Sequence, residues 1–280
     1  MPKPSLRRAP APRRVSRVAR RTDDSRRETT PVTYPGPLAA RRPHVPVPGH
    51  LVFQVLGGSR AYGLARAGAD EDWRGVYQAS AESLYGLAGP IDHVEFPPDQ
   101  QYWELTHFGR LCLAGNPHAL ELLWIPPEMI ALDSGVARAL RAMRRDFLTA
   151  STVSSYFGFL FSIRRSMAPT KVKIAGQDQT ALPSDRQDKL LAGKRGSHLV
   201  RIFLNFRELL RSGEMRVRLE GEDLKLVSAI KAGVVPADRV LSLADGLERE
   251  CRSLAESHPW PAADSRSLEK LLIRARRGEL

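Results

Sequence analysis

The spacing of the apolar residues changes twice along this 280-residue chain, and these changes constrain its fold more than any other feature. No apolar periodicity runs through residues 1–48. A short apolar run at 51–56 then ends at two glycines, which is typical of a buried strand leading into a turn. Alternating residues predict a second strand at 72–77, and 93–96 predicts a third that either stops there or continues towards Tyr102.

Beyond that point the apolar residues follow a helical period near 3.6. The sequence Gly115-Asn116-Pro117 predicts a break between the first two helices. A short helix is expected at 61–67, and the polar stretch 169–196 is expected to be a long loop. Further helices are predicted at 134–147, 151–167, 197–212, 222–232, 237–257 and 264–277. The whole pattern predicts an α+β fold, with a small α/β unit followed by an all-helical region.

The positive charge is concentrated at the N-terminus. Residues 1–48 hold 12 Lys and Arg against 3 Asp and Glu, so they carry +9 of the net charge of +12 of the whole chain. They also hold 10 of the 21 prolines. Because this segment offers little apolar surface to offset chain entropy, we expect a disordered basic tail. It is either a solvated extension or a nucleic-acid-binding arm.

Several classes of protein are excluded by composition. The chain has only two cysteines, Cys112 and Cys251, with no CxxC, so neither a disulfide scaffold nor a cysteine-based zinc site is expected. No apolar run approaches the ~20 residues of a membrane span, and no apolar core of a secretory signal follows the basic start. We therefore expect no membrane association, and a cytoplasmic location.

The residue pattern with the clearest chemistry follows the first strand. Gly58-Ser59 lies at the predicted turn, where glycine allows a phosphate close to the backbone and the N–H groups of a helix start favour an anion. Asp70 and Asp72 are two residues apart, so at the start of a strand both carboxylates point to one face. Two such oxygen ligands suit Mg²⁺, which completes its shell with waters and nucleotide phosphates.

The order strand, Gly58-Ser59, short helix, Asp70-x-Asp72, strand resembles the signature of nucleotidyltransferases of the DNA polymerase beta superfamily. The longer segment from Gly58 to Tyr77 is similar to one branch of this superfamily, the predicted nucleotidyltransferases associated with RNA repair. Two further segments are similar to the same branch, namely Asn116-Pro-His-Ala-Leu-Glu-Leu-Leu123 and Lys194-x3-His198-x2-Arg201. The resemblance covers roughly residues 51–280. It divides the chain into the tail at 1–48, a nucleotidyltransferase core at 49–130 and a helical C-terminal domain at 131–280.

The resemblance implies a metal site for two Mg²⁺ ions, or Mn²⁺ in their place, on Asp70 and Asp72. Gly58-Ser59 would hold the triphosphate. The superfamily adds a third carboxylate from the next strand, and here the branch spacing favours Asp99. Glu95 fits the local apolar–acid–apolar pattern, and Glu104 is a further alternative. The residue between the two aspartates is usually apolar in the superfamily, but here it is Glu71.

Several basic residues are candidate phosphate ligands. Arg60 and Arg74 flank the site and either clamp phosphates or pair with acidic side chains. Residues 164–201 hold nine basic and three acidic residues, which suits either phosphate binding or a solvated loop. Within this stretch Lys194 is a candidate nucleotide ligand, and His198 is either a phosphate ligand, a proton donor or a structural histidine.

These residues predict an enzyme that transfers an NMP from an NTP to a hydroxyl acceptor and releases pyrophosphate. RNA is the expected acceptor, because of the branch resembled and the basic segments. The alternative is a non-catalytic nucleotide or RNA sensor on the same fold. The sequence identifies no protein partner. Glu121 lies on an otherwise apolar helix and is expected to pair with a buried cation.

Overall fold

Five strands form the central sheet of the protein, seen in a computed structural model that describes residues 38–167, 171–174, 177–180, 187–257 and 259–280. Their order across the sheet is β3-β4-β2-β1-β5. Strands β2 and β4 are parallel, and the other neighbours are antiparallel. The strands are β1 (Gly49–Leu56), β2 (Trp73–Ala79), β3 (His93–Phe96), β4 (Gln100–Glu104) and β5 (Ile130–Asp133).

Helices cover the sheet and make up the C-terminal half. They are α1 (Leu38–Arg41), α2 (Gly58–Ala61), α3 (Ala81–Tyr85), α4 (Leu105–Leu113), α5 (Pro117–Leu123), α6 (Gly135–Ala142), α7 (Ala150–Ser166), α8 (Gln187–Ser212), α9 (Gly221–Lys231), α10 (Ala237–Glu256) and α11 (Arg266–Arg276). No helix in the described ranges is long and apolar enough to cross a membrane.

The break between α4 and α5 has a local chemical cause. Gly115 adopts a φ of +71°, which ends α4, and the Asn116 side chain accepts hydrogen bonds from the N–H groups of His118 (3.0 Å) and Ala119 (3.2 Å). Pro117 occupies the first helical position, where its missing N–H costs nothing. The predicted break is confirmed.

The predicted α+β class is confirmed, and most predicted elements match within a few residues. Three differ. The third strand is two antiparallel strands, β3 and β4. The helix expected at 61–67 is instead the single turn α2, which begins at Gly58 directly after β1. Strand β5 had no prediction, and it crosses the proposed domain boundary at 130/131.

The stretch 169–196 was expected to be a loop, but the described parts of it are regular. Lys171–Ile174 (β6) and Gln177–Thr180 (β7) form an antiparallel hairpin, and α8 begins at Gln187. Gly193 and Gly196 belong to the stretch that was predicted to be a loop, yet they lie inside α8 at a helix contact. A Cβ on Gly193 would meet the Ile230 carbonyl oxygen at 2.9 Å, and one on Gly196 would meet Val240 at 3.0 Å.

Residues 38–48 are part of the folded body, although the sequence placed them in the tail. Leu38 packs against the main core, and Val45 is buried against the sheet with Tyr77 and Tyr102. Arg41 forms an ion pair with Glu71, and the Pro43 carbonyl accepts a hydrogen bond from Gln54 (3.2 Å). A few apolar anchors among prolines and arginines are enough to dock this segment. The rest of the predicted tail, at 1–37, lies outside the described residues.

The core is built in layers around the sheet. One large cluster joins the sheet to helices α4 to α8 and α11, and a smaller one joins α8, α9 and α10 to Leu64. The N-terminal segment and α3 cover the remaining sheet surface around Tyr77 and Tyr102. Cys112 and Cys251 are buried and free, which agrees with the expected absence of a disulfide between them.

The contact at Gly193 predicts opposite effects for the same substitution in two helices. Gly158→Ala, on an exposed face of α7 with no neighbouring atom, should stabilise the protein by about 0.5–1 kcal/mol, because alanine is the better helix former. Gly193→Ala should destabilise it by about 1–3 kcal/mol, because the new methyl meets backbone that cannot turn aside. Urea unfolding of both variants checks this; a stabilised Gly193→Ala would contradict the packing described.

Candidate active site

Two aspartates lie side by side where the parallel strands β2 and β4 begin. The register pairs Trp73 with Gln100, so Asp72 and Asp99 are neighbours one residue earlier. The Trp73 N–H donates to the Asp99 carbonyl (3.1 Å), which extends the ladder to this point. The two carboxyl groups are hydrogen-bonded to each other. Parallel pairing therefore brings together residues that are 27 positions apart.

The electrostatics of this pair follow from its crowding. Burial raises the pKa of Asp72 to about 6, and the neighbouring Asp99 adds to the rise. The hydrogen bond with Asp72, aided by Arg74, lowers the pKa of Asp99. The Arg74 guanidinium donates to the Asp99 carboxylate (2.9 Å) and lies 3.9 Å from that of Asp72. The pair thus attracts positive charge, and Arg74 supplies part of it.

Gly58 and Ser59 lie against Asp72. The Gly57 N–H donates to the Asp72 carbonyl (2.8 Å), and the Ser59 backbone N–H donates to the Asp72 carboxylate. Gly58 has a φ of +61°, and a Cβ there would lie 1.5 Å from the Asp72 carboxylate. Only glycine fits, because both the backbone angle and the space exclude a side chain. The predicted phosphate-binding turn and the predicted metal ligand are therefore in direct contact.

Asp70 is exposed and lies in the segment just before β2. Its carbonyl accepts a hydrogen bond from the Arg60 Nε (3.2 Å), and Arg60 also donates to the Ala69 carbonyl (2.5 Å). Arg60 thus holds the backbone that leads to the aspartates. In the described part of the chain, no three His, Cys, Asp or Glu side chains gather closely enough to form a metal site, so Asp70 does not join Asp72 and Asp99. Its role as a ligand stays a prediction.

The Glu71 side chain makes contacts that Asp72 and Asp99 do not share. It pairs with Arg41 and accepts a hydrogen bond from the Trp73 indole (3.2 Å). Arg60 lies 3.9 Å from the same carboxylate. The acidic residue at this usually apolar position is therefore half-buried and neutralised by the N-terminal segment.

The alternatives for the third carboxylate lie elsewhere. Glu95 is on β3, which β4 separates from β2, and its exposed side chain accepts from Gln101 (3.4 Å) and lies near His93 (3.7 Å). Glu104 caps α4, where one of its oxygens accepts from the N–H groups of Thr106 and His107. Strand order thus favours Asp99 over Glu95. Glu104 does lie on β4, but at the opposite end from Asp99, where it caps α4. The ligand itself stays a prediction.

The helical region reaches the site through α8. Lys194 is exposed and close enough to Asp99 to lower the pKa of that carboxyl. One turn later, His198 stacks on His118 (ring centroids 6.1 Å apart, 9° between planes) and contacts Arg201 at 3.4 Å. Burial, together with Arg201, lowers the pKa of His198 to about 4. Its surroundings are those of a structural, neutral histidine, while Lys194 faces the aspartates.

Arg201 of α8 forms a buried contact between the helical C-terminal region and α5. It is 2% exposed and pairs with Glu121 of α5 at 2.7 Å, which confirms the expected buried partner. Its guanidinium also lies 3.6 Å from the centre of the Tyr62 ring, just after α2. Although burial opposes it, Arg201 lowers the pKa of Glu121. Arg201 therefore ties α5, α8 and the segment after Gly58-Ser59 together.

The basic stretch 164–201 does not act as one charged surface among the side chains described. Arg164 pairs with Asp245 (2.6 Å) and Glu248 (3.3 Å), Arg201 is buried, and Arg195 donates to the Ser166 carbonyl (2.6 Å). The side chains of 168–191 lie outside the described residues. Lys194, in contrast, is close enough to Asp99 to lower the pKa of that carboxyl.

A comparison of the sequence with known families matches residues 38–234 to the RNA repair pathway DNA polymerase beta family, RlaP. The chain belongs to this family. The match begins at Leu38, where the N-terminal segment first docks on the core, and it includes the aspartate pair and Arg201. No curated protein and no solved structure matches the chain.

In this member of the RNA repair pathway DNA polymerase beta family, three residues near the site were not identified from the sequence. Tyr62 stacks on Arg201, Lys231 is close enough to Asp72 for that carboxylate to raise its pKa, and Arg66 is close enough to Lys231 to lower it. Tyr62 falls inside the resembled Gly-Ser-Arg-Ala-Tyr segment, which could have drawn attention to it. Lys231 is far along the chain in an ordinary amphipathic helix, and no local pattern marks it.

The buried ion pair predicts a large effect of a single substitution. Arg201→Met should lower the free energy of unfolding by about 3–5 kcal/mol, because it leaves the Glu121 charge buried without a partner. The double variant Glu121→Leu/Arg201→Met should recover much of this loss, since both charges are gone. Urea denaturation of the three proteins measures it. A double variant no more stable than Arg201→Met would contradict the assignment of the cost to an unpaired charge.

The buried state of His198 predicts a pH dependence. Its folded pKa of about 4 lies below the usual 6.5, so the unfolded chain binds more protons between these values and stability falls as the pH drops through that window. His198→Gln should flatten the dependence between about pH 5 and pH 7, whereas His50→Gln, at the exposed start of β1, should not. Equal slopes in all three proteins would place His198 outside the buried network.

Proposed function

We propose that the protein is a Mg²⁺-dependent nucleotidyltransferase that transfers an NMP from an NTP to a hydroxyl group, with an RNA end as acceptor. The observation that carries this proposal is the pair Asp72–Asp99, set at the entry of two parallel strands and in contact with the glycine turn at Gly58. Membership of the RNA repair pathway family supports the same reaction class and an RNA acceptor. The many basic residues support a phosphate-bearing substrate in general. We also propose a cytoplasmic location.

In the proposed reaction the acceptor oxygen attacks the α-phosphorus of the NTP. A new P–O bond forms, the bond between the α-phosphorus and the oxygen bridging to the β-phosphorus breaks, and pyrophosphate leaves with that oxygen. The acceptor hydroxyl releases its proton to solvent. Proper alignment of the two oxygens is the main task of the protein, because phosphoryl transfer depends on positioning and charge stabilisation.

The carboxylates suit a hard divalent cation, which takes oxygen ligands. Asp72 and Asp99 are partly buried carboxylates held next to each other, so their chemistry fits Mg²⁺ or Mn²⁺, and the exposed Asp70 is a further candidate ligand. When bound, two such ions would lower the pKa of the acceptor hydroxyl and neutralise charge on the phosphates. Because burial and Asp99 raise the pKa of Asp72 to about 6, a cation would compete with a proton for this carboxylate only below about that pH.

The remaining site residues have separate proposed roles. The N–H groups of Gly58 and Ser59, with the Ser59 hydroxyl, would hold the triphosphate. Arg74 would keep Asp99 in place and balance charge, and Lys194 would contact phosphate oxygens. Arg60 would act indirectly, because its hydrogen bonds fix the backbone before Asp70. His198 would position Arg201 and not touch the nucleotide.

The proposal predicts how carboxylate variants behave. Asp72→Asn and Asp99→Asn should each reduce incorporation of labelled nucleotide into RNA by about 10²–10³-fold, because a metal ligand stabilises the transition state by several kcal/mol. Glu95→Gln is the matched control, since it removes an exposed carboxylate from the same sheet, and it should stay near wild-type activity. Thermal unfolding of each variant shows that the loss is not one of folding.

Two results would count against this assignment. Full activity in Asp99→Asn combined with loss in Glu95→Gln would move the third carboxylate to β3. Binding of NTP by the wild-type protein with no transfer to any RNA would favour the nucleotide or RNA sensor instead.

A further inference from the structure

Beside the aspartate pair lies a group of three cations, of which the proposed function uses only Lys194. It consists of Arg66, in the loop after α2, together with Lys194 of α8 and Lys231 of α9. Burial and the charges of Arg66 and Lys194 lower the pKa of the Lys231 ammonium, and the charge of Asp72 raises it. Within the ranges that the structure describes, neither Arg66 nor Lys194 makes an ion pair. We call these three residues the cation cluster.

Packing fixes the cluster next to the Gly58-Ser59 turn. The Leu64 N–H donates to the Ser59 carbonyl (2.8 Å), and the Leu64 carbonyl accepts from the Lys231 ammonium (3.2 Å). Two hydrogen bonds therefore link Lys231 to the turn that would hold a triphosphate. Leu64 is itself buried among residues of α8, α9 and α10, so this link is anchored in the second core cluster.

Helix packing also brings Lys194 to the same place. Gly193 of α8 lies against the carbonyl oxygens of Ile230 and Lys231 at the end of α9, so closely that a Cβ would meet them at 2.9 and 3.2 Å. Lys194 is the next residue. The glycine thus permits the close approach that sets two lysines from different helices side by side.

The cluster holds more positive charge than its neighbours neutralise. Lys231 is half-buried, and burial together with Arg66 and Lys194 lowers the pKa of its ammonium. One of its three N–H donors is used by Leu64, which leaves two. Like charges held together with free donors are stabilised by an anion, and phosphate oxygens suit the combination of a guanidinium and ammonium groups.

From this juxtaposition we infer that Arg66, Lys194 and Lys231 form a phosphate-binding subsite next to the aspartate pair. The inference rests on the proposed function, because its ligand is a phosphate group of the same reaction. That group belongs either to the NTP, beyond the α-phosphate, or to the backbone of the RNA acceptor. The two sources share the chemistry of an anionic phosphoryl oxygen, and binding measurements separate them.

The test measures equilibrium binding of ATP, of AMP and of a short unstructured RNA oligonucleotide to the full-length protein in magnesium buffer. The variants are Arg66→Gln and Lys231→Gln, with Lys231→Arg to restore the charge. Lys225→Gln is the matched control, because Lys225 is an exposed lysine of the same helix that pairs with Glu222. Arg66 is exposed, so its variant reports on binding even if Lys231→Gln unfolds.

If the ligand is the NTP, Arg66→Gln and Lys231→Gln should each raise the Kd for ATP about tenfold and leave that for AMP unchanged, since a charge-assisted hydrogen bond to phosphate is lost. If it is RNA, the Kd for the oligonucleotide should rise, and its slope against salt concentration should fall by about 0.7 per cation. Either result supports the subsite, and Lys231→Arg should restore most of the affinity.

The inference is overturned if both variants bind ATP and RNA within about twofold of the wild-type protein, because the cluster then contacts no phosphate. Such a result leaves the proposed nucleotidyl transfer standing, since the wild-type protein still binds its substrates. A wild-type protein that binds neither ATP nor RNA would overturn the subsite and the proposed function together.

Discussion

The buried ion pair between Glu121 and Arg201 is the interaction on which the arrangement of this protein depends. Glu121 lies on α5, the helix that follows the turn Gly115–Pro117, and Arg201 lies in the middle of α8. Neither charge could be buried alone, so each fixes the position of the other. Because Arg201 also stacks on Tyr62, the pair sets the distance between the helical region and the segment after Gly58-Ser59.

That segment is held from the helical side at three successive points. The Tyr62 ring contacts Arg201, the Tyr62 carbonyl accepts from the Leu219 N–H (3.1 Å), and the Leu64 carbonyl accepts from Lys231 (3.2 Å). On its other side, Gly58 and Ser59 contact Asp72. The helices therefore support the proposed phosphate-binding turn directly, and they carry Lys194 and Lys231 to the aspartate pair.

Sequence patterns predicted the elements of this fold where the apolar period was long, as in α7 and α10. They failed where packing decides the structure. Gly193 and Gly196 suggest a break when viewed locally, but they are the contact points of α8 with its neighbours. The N-terminal segment looked like a tail because its charge and prolines hide two apolar anchors, Leu38 and Val45.

The candidate site was predictable only where its residues are close in sequence. Gly58, Ser59 and Asp72 are close in sequence, so their spacing alone indicated a common site. Choosing Asp99 over Glu95 required the strand order, because only a direct neighbour of β2 can place a carboxylate next to Asp72. The contributions of Tyr62, Arg66 and Lys231 arise from tertiary packing, which no local pattern reports.

The most direct test of nucleotidyl transfer compares two positions of the label in one NTP. The protein is incubated with Mg²⁺, RNA and NTP labelled at either the α- or the γ-phosphate, and the products are separated by size. The account predicts that the α-label enters RNA and that the γ-label is released in pyrophosphate. A γ-label in RNA would show phosphoryl transfer instead, and the absence of both labels from RNA would contradict an RNA nucleotidyltransferase.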